Sequence, residues 1–231
     1  MRQNIITIDG PAGVGKSTIS RRVAARLGFT YLDTGAMYRA AAYLITASGI
    51  DEKNTREIAG CLEDMELELV PAQNEREDVR VILSGGDVSK KIRTPEMSMI
   101  ASRVSAIPEV REKLTAMQRK MGEKGKIVAE GRDTGTVVFP LAAHKFFLDA
   151  RPKIRARRRA AQLGLQGKKV DEQELLTMMV ERDEKDRRRD IAPLKKAEDA
   201  LYIDTSTLDI DGVADMILNR VASNLSGINK E

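Results

Sequence analysis

Residues 10–17 read Gly-Pro-Ala-Gly-Val-Gly-Lys-Ser, an unbroken match to G-x-x-x-x-G-K-[ST]. Residues 4–9, just before it, form a short apolar run that reads as a buried strand. The stretch after it, STISRRVAARL, reads as a helix stopped by Gly28 in a C-capping role. A strand, a glycine-rich turn and a helix in that order confine the chain to an α/β fold with a phosphate-cradling loop. Glycines let the backbone turn tightly and aim successive N–H groups inward. The helix N-terminus adds its positive dipole end. Lys16 brings a full charge to β- and γ-phosphates, and the Ser17 hydroxyl is placed to ligate Mg²⁺. Gly10, Pro11, Ala12, Gly13, Val14, Gly15, Lys16, Ser17 and Thr18 are therefore the expected ATP-binding residues, with Ser17 as metal ligand.

The remaining pattern extends the same grammar. A strand at Phe29–Leu32 runs into Asp33-Thr34-Gly35 and a helix to about Ala47, ended by Gly49. Asn54 with Glu57 three residues on is a capping-box arrangement for a helix to about Met65. Leu67, Leu69, Val79 and Val81 then alternate with charged residues around a polar turn, PAQNERED, which is the pattern of an antiparallel hairpin. Thr94-Pro95-Glu96 gives an N-cap with proline at the first helical position, and a further helix runs from about Pro108 to Met121. Apolar runs at Ile127–Ala129, Phe146–Leu148 and Leu201–Ile203 bring the strand count of the main sheet to five. A last helix covers about 211–224. Five apolar strands alternating with helices predict a five-stranded parallel core sheet with helices on both faces. Residues 66–105 read as a small antiparallel insert on a single domain, with the core in 1–65 and 106–231.

Composition narrows the function classes. The net charge of +4 mixes 39 basic with 35 acidic residues, too balanced for nucleic-acid attraction to lead. Aromatics make up 3% and there is no Trp, so a base-stacking surface would be thin. Cys61 is the single cysteine, which fits a reducing compartment and an ordinary apolar role in a helix. The lone His144, before an apolar run, reads as structural. With neither a leader pattern nor a run of roughly 20 apolar residues, the expectation is a cytoplasmic protein without a membrane contact. A guanine-specific switch would carry Asn-Lys-x-Asp, but Asn229-Lys230 is followed by the chain end. A nucleic-acid motor needs more chain. A small-molecule kinase remains, supported by two arginine clusters at 151–159 and 182–189. An arginine fork pairs bidentately with phosphate, and one well-placed arginine is worth roughly 10³–10⁵ in phosphoryl-transfer rate. The alternatives are a solvated basic face or an RNA surface.

IDGPAGVGKST, LDTGAMYR, EGRDTGTVVFP, LDARPKIRARRR and RDEKDRRRDIAPL together resemble the bacterial cytidylate kinases, over nearly the whole chain. The resemblance implies the P-loop kinase fold, a monophosphate-binding insert, and an arginine-rich lid at about 151–169. It implies that Arg39, Arg132 and Arg189 hold a nucleoside monophosphate, and that Arg182 and Asp186 bind its sugar. Ser102, Arg111 and Asp133 would read the base, and Asp33 and Thr34 would also face the site. Lys16, Arg132, Arg189 and, from the lid, Arg157 are the expected catalytic cations. The implied partners are ATP with Mg²⁺ and CMP or dCMP, the implied state a monomer, and no nucleic acid is involved. Rival readings are a kinase for UMP or AMP, and a nucleotide-gated RNA-binding protein.

Overall fold

The computed structural model describes residues 3–74, 77–165, 167 and 169–227. Five parallel strands form the central sheet: β1 (Gln3–Asp9), β2 (Thr30–Asp33), β6 (Ile127–Gly131), β7 (Ala142–Asp149) and β8 (Leu201–Asp204), in the order β2-β6-β1-β7-β8. An antiparallel three-stranded sheet joins β3 (Leu67–Val70), β4 (Arg80–Leu83) and the two-residue β5 (Gly86–Asp87). The helices are α1 (Lys16–Leu27), α2 (Thr34–Ala47), α3 (Thr55–Glu63), α4 (Pro95–Val104), α5 (Pro108–Gly122), α6 (Pro152–Leu165), α7 (Glu172–Arg188) and α8 (Ile210–Gly227).

Local chemistry places the helix ends. Gly28 closes α1 with φ 65°. Asn54 accepts from the Glu57 N–H at 3.2 Å, while its own N–H donates to Asp51 O, so only the forward half of the capping box forms. Thr94 accepts from the Met97 N–H at 3.0 Å, ahead of Pro95. The second strand starts one residue later than the sequence suggests, β7 is longer, and β5 was not foreseen; a two-residue strand carries no periodicity to read. Part of the PAQNERED turn, Glu75 and Arg76, and two positions of the 151–169 segment, Gln166 and Lys168, lie outside the described residues.

Alternation across the sheet divides the core. Ile6, Ile8, Val128, Phe146 and Leu148 pack with Val23 of α1 and Val213 and Ile217 of α8. Ile5, Leu32, Ile127 and Ala129 face the other way, toward buried side chains of α2, α3 and α5. That second cluster continues without a break into Val79, Val81, Leu83, Val88, Ile92, Met97, Ile100 and Val104. Residues 66–105 thus share one apolar core with the main sheet. Cys61 sits in α3 and His144 is buried in β7. No helix among the described residues is long and apolar enough to cross a membrane.

Parallel register brings the C-terminal ends of the strands to one edge. Asp9 is level with Gly131 and Phe147, and Asp33 is level with Glu130. Ligands of open α/β sheets bind at this edge, where neighbouring connections diverge.

Candidate active site

The turn between β1 and α1 is built on backbone that only glycine adopts freely. Gly10 has φ 149°, and a Cβ there would stand 2.1 Å from Leu148 O. Lys16 opens α1, is 7% exposed, and donates from Nζ to Gly10 O (2.8 Å) and Pro11 O (2.7 Å). Burial and then the Arg132 charge pull its pKa down to about 7, against the opposing pull of Glu130, Asp183 and Asp9. Ser17 is exposed at the start of α1.

Asp9, the last residue of β1, is buried and accepts three hydrogen bonds from one turn: Thr134 N–H (2.9 Å), Thr134 Oγ1–H (2.7 Å) and Gly135 N–H (2.8 Å). Burial raises its pKa, and these three donors limit the rise. Asp9 thereby ties the phosphate loop to the segment carrying Arg132 and Asp133.

Those two residues belong to one network. Arg132 Nε donates to Asp186 Oδ2 (3.1 Å). Arg111 Nη2 donates to Asp133 Oδ2, and its Nη1 to Ser105 O at 3.2 Å. Arg189 reaches Asp133 Oδ1 at 3.6 Å and Asp186 Oδ1 at 4.0 Å, while Nε donates to Ala192 O at 2.6 Å. Ser102 Oγ donates to Asp186 Oδ1 at 3.4 Å. Burial raises the Asp133 pKa, against the pull of Arg111 and Arg189. Burial also acts to raise Asp186, but Arg132, Arg182 and Arg189 carry it below the ordinary value. Tyr38 lies under the Arg111 guanidinium, 5.6 Å from ring centre to Cζ, and burial lifts its phenol to about 12.

Beside this network stand cations that lack full compensation. Arg39 pairs with Asp33 at 3.4 Å but leaves Nε buried without a partner, and Arg182 Nε is likewise buried and unpartnered. Burial and the charges of Arg132 and Arg39 lower Arg182 to about 10. Burial and Arg39 lower Arg159. Arg157, the lid arginine expected from sequence, is exposed on α6. Arg155 is buried against Asp183, and Arg158 donates to Thr205 and Leu208.

At the ends of β2 and β6 stand two more buried carboxylates. Asp33 caps α2, accepting from Ala36 N–H at 2.7 Å, and the Thr34 hydroxyl donates to Glu130 O at 2.6 Å. Glu130 accepts from Tyr31 Oη through one oxygen, while Oε2 is buried without a regular hydrogen-bond partner. Burial and the Asp33 charge raise the Glu130 pKa; Lys16, Tyr31 and the nearby Ser17 hydroxyl oppose them. Among the described residues no group of three or more His, Cys, Asp and Glu could hold a metal ion. An exposed serine hydroxyl with a free carboxylate oxygen nearby suits Mg²⁺, which keeps waters and phosphate oxygens as most of its ligands.

The structure therefore gathers Lys16, Asp33, Thr34, Arg39, Ser102, Arg111, Arg132, Asp133, Arg182, Asp186 and Arg189 at one edge of the sheet. Sequence reading missed Asp9, Tyr38, Glu130, Arg159 and Asp183. For Asp9 and Glu130 the signal was available, since each is an acid at or next to the C-terminal end of a strand whose residues just before it are apolar or buried.

A sequence profile described as cytidylate kinase matches residues 6–223. A cytidylate kinase of Syntrophotalea carbinolica is 46% identical over 221 residues, covering 96% of this chain and 93% of the relative. A bifunctional pantoate ligase/cytidylate kinase of Synechococcus elongatus is 47% identical over 219 residues, but the match spans 94% of this chain and only 42% of that protein. Among solved structures, an uncharacterized protein from Eubacterium ventriosum superposes with a TM-score of 0.52 at 15% identity, covering 96% of this chain and 99% of that one. At that identity the likeness concerns the fold alone. The profile match and the identity sustained across nearly all of the chain carry the assignment: this chain belongs to the cytidylate kinase family.

Proposed function

We propose that the chain transfers the γ-phosphoryl group of ATP to CMP or dCMP, giving ADP and CDP or dCDP. The observation that carries this reading is the crowding of like charge at the sheet edge. Besides burial, the Arg132 charge lowers Lys16, the Arg132 and Arg39 charges lower Arg182, and the Arg39 charge lowers Arg159. The neighbouring carboxylates offset this crowding only in part, and two facing phosphate chains would supply the rest of the negative charge.

The nucleoside triphosphate lies in the loop of residues 10–18, with Lys16 on its terminal phosphates. Arg39, Arg132 and Arg189 hold the monophosphate, Arg182 and Asp186 its sugar, and Arg157 of the lid, with Arg159 near it, serves the transferring phosphoryl group. Ser17 and Glu130 would hold Mg²⁺, which would supply charge neutralisation for the phosphates. The acceptor oxygen belongs to a phosphate whose second pKa is about 6, so it needs no strong general base. Rate then comes from in-line positioning and from cations around the transferring group. Closure of the lid and of the insert at 66–105 would exclude water and direct the phosphoryl group to the nucleotide.

Base choice rests on the Arg111–Asp133 pair, a donor beside an acceptor in a buried wall, with Ser102, which donates to Asp186, as the third member. Cytosine presents an N4 amino donor and N3 and O2 acceptors, which complements that pair. Uracil reverses the pattern at O4 and N3 and faces a carboxylate with an acceptor, a mismatch of about 1–3 kcal/mol. The test is ADP formation from Mg-ATP with CMP, dCMP, UMP, AMP or RNA. Fast turnover with CMP and dCMP and slow turnover with UMP is expected. Preference for UMP or AMP would overturn the base assignment, and stimulation by RNA alone would overturn the kinase reading.

A further inference from the structure

Ala12, in the phosphate loop, is gripped at both ends of its backbone by the two helices of the arginine-rich region. Its N–H donates to Asp183 Oδ1 of α7 at 3.2 Å, and its carbonyl accepts from Arg155 Nη1 of α6 at 2.9 Å. The same Arg155 nitrogen donates to Asp183 Oδ2, and Arg155 Nε donates to Ala150 O at 2.9 Å. Both charged side chains are 2% exposed. The next loop residue, Gly13, is seated against α7 so closely that a Cβ would fall 2.5 Å from Met179 Cε. Its φ of 73° also disfavours any side chain.

A buried ion pair is a poor way to stabilise a fold. Desolvating both charges is costly, and apolar replacements of similar volume are often neutral or stabilising. What this pair does that apolar side chains cannot is present a matched acceptor and donor to one peptide segment. One residue away on α7, Arg182 faces the acceptor side, so a single helix touches both halves of the site.

We propose that Arg155 and Asp183 are positioning residues for the phosphate donor. They fix the Ala12 backbone so that the remaining N–H groups of the loop are preset for the triphosphate. The inference rests on the donor reading above and adds two residues that contact the loop's backbone.

The test is the double variant Arg155→Met with Asp183→Leu, studied by calorimetry with Mg²⁺ and the β,γ-imido analogue of ATP, and separately with CMP. The melting temperature should be equal to or above that of the wild type. The analogue's Kd and the KM for ATP should rise about tenfold, the scale of one lost charge-assisted hydrogen bond. The Kd for CMP should rise clearly less than that of the analogue, because neither residue contacts the acceptor groups and Asp183 reaches them only through its charge on Arg182. Unchanged affinity for the analogue, or equal loss of both ligands, would overturn the proposal. Should the double variant not fold, Asp183→Asn decides, since it keeps an acceptor for the Ala12 N–H. It should bind the analogue at least about threefold more tightly than Asp183→Ala, and equal losses in the two would refute the positioning role. Failure of the wild type itself to bind the analogue would instead overturn the donor reading.

Discussion

Lys16 is a buried ammonium set between Arg132 and the carboxylates of Glu130, Asp183 and Asp9, and its titration offers a direct reading of the loop. With a pKa of about 7 against an ordinary 10.5, the folded chain binds fewer protons than the unfolded one between those values. This group's contribution to stability therefore rises with pH across that window. A bound triphosphate supplies the missing negative charge and returns the pKa toward its ordinary value. ATP binding should accordingly take up about half a proton at pH 7 and close to none at about pH 5. Calorimetry in buffers of different ionisation enthalpy measures this, and a heat independent of buffer at pH 7 would contradict it. Asp133 is the second residue with a sharp outcome. Asp133→Asn keeps the shape but places a donor beside Arg111, so kcat/KM for CMP should fall about 10–100-fold. The ratio of UMP to CMP turnover should rise in the same variant, and an unchanged ratio would remove Asp133 from base reading.

Between residue and fold stand the connections that bring distant segments together. Asp9 pins Thr134 and Gly135 through three hydrogen bonds, so the end of β1 sets the position of Arg132 and Asp133. Asp9→Asn turns one acceptor into a donor facing the Gly135 N–H. The cost should be about 1–3 kcal/mol, seen as a Tm lower by several degrees. The KM for CMP should rise more than that for ATP. Equal effects on both would mean that Asp9 supports the sheet alone. The phosphate loop and the Gly28 and Thr94 caps were readable in the sequence because each is a local rule of a few residues. The pairing of Asp9 with Thr134 spans 125 positions and leaves no periodic trace. The arginine-rich segment shows the same limit in another form. Composition marks it as cationic, but only helix phase decides that Arg155 is buried and Arg157 exposed. Four arginines in five positions from Arg155 to Arg159 hide that phase, because they point to opposite sides of the helix.

At the scale of the whole chain, the insert reads as a separate unit in sequence because its alternation differs from the apolar strands around it. In the fold its buried side chains join those of α2, α3 and α5 in one cluster, a long-range packing that alternation does not encode. A continuous core predicts a single cooperative unfolding transition in which calorimetric and van't Hoff enthalpies agree. Two resolved transitions would show that residues 66–105 melt independently. The edge position of the site follows from the strand order β2-β6-β1-β7-β8, which places the loop at the centre of the sheet with charged ends of its neighbours on either side. In the proposed reaction this edge passes a phosphoryl group from one nucleotide to another and keeps it from water. The most direct measurement follows the label of γ-³²P ATP in the presence of Mg²⁺ and CMP. The label should appear in the β-phosphate of CDP in step with ADP, with little inorganic phosphate. Label released as inorganic phosphate, with CMP left unchanged, would rule out transfer between nucleotides at this edge.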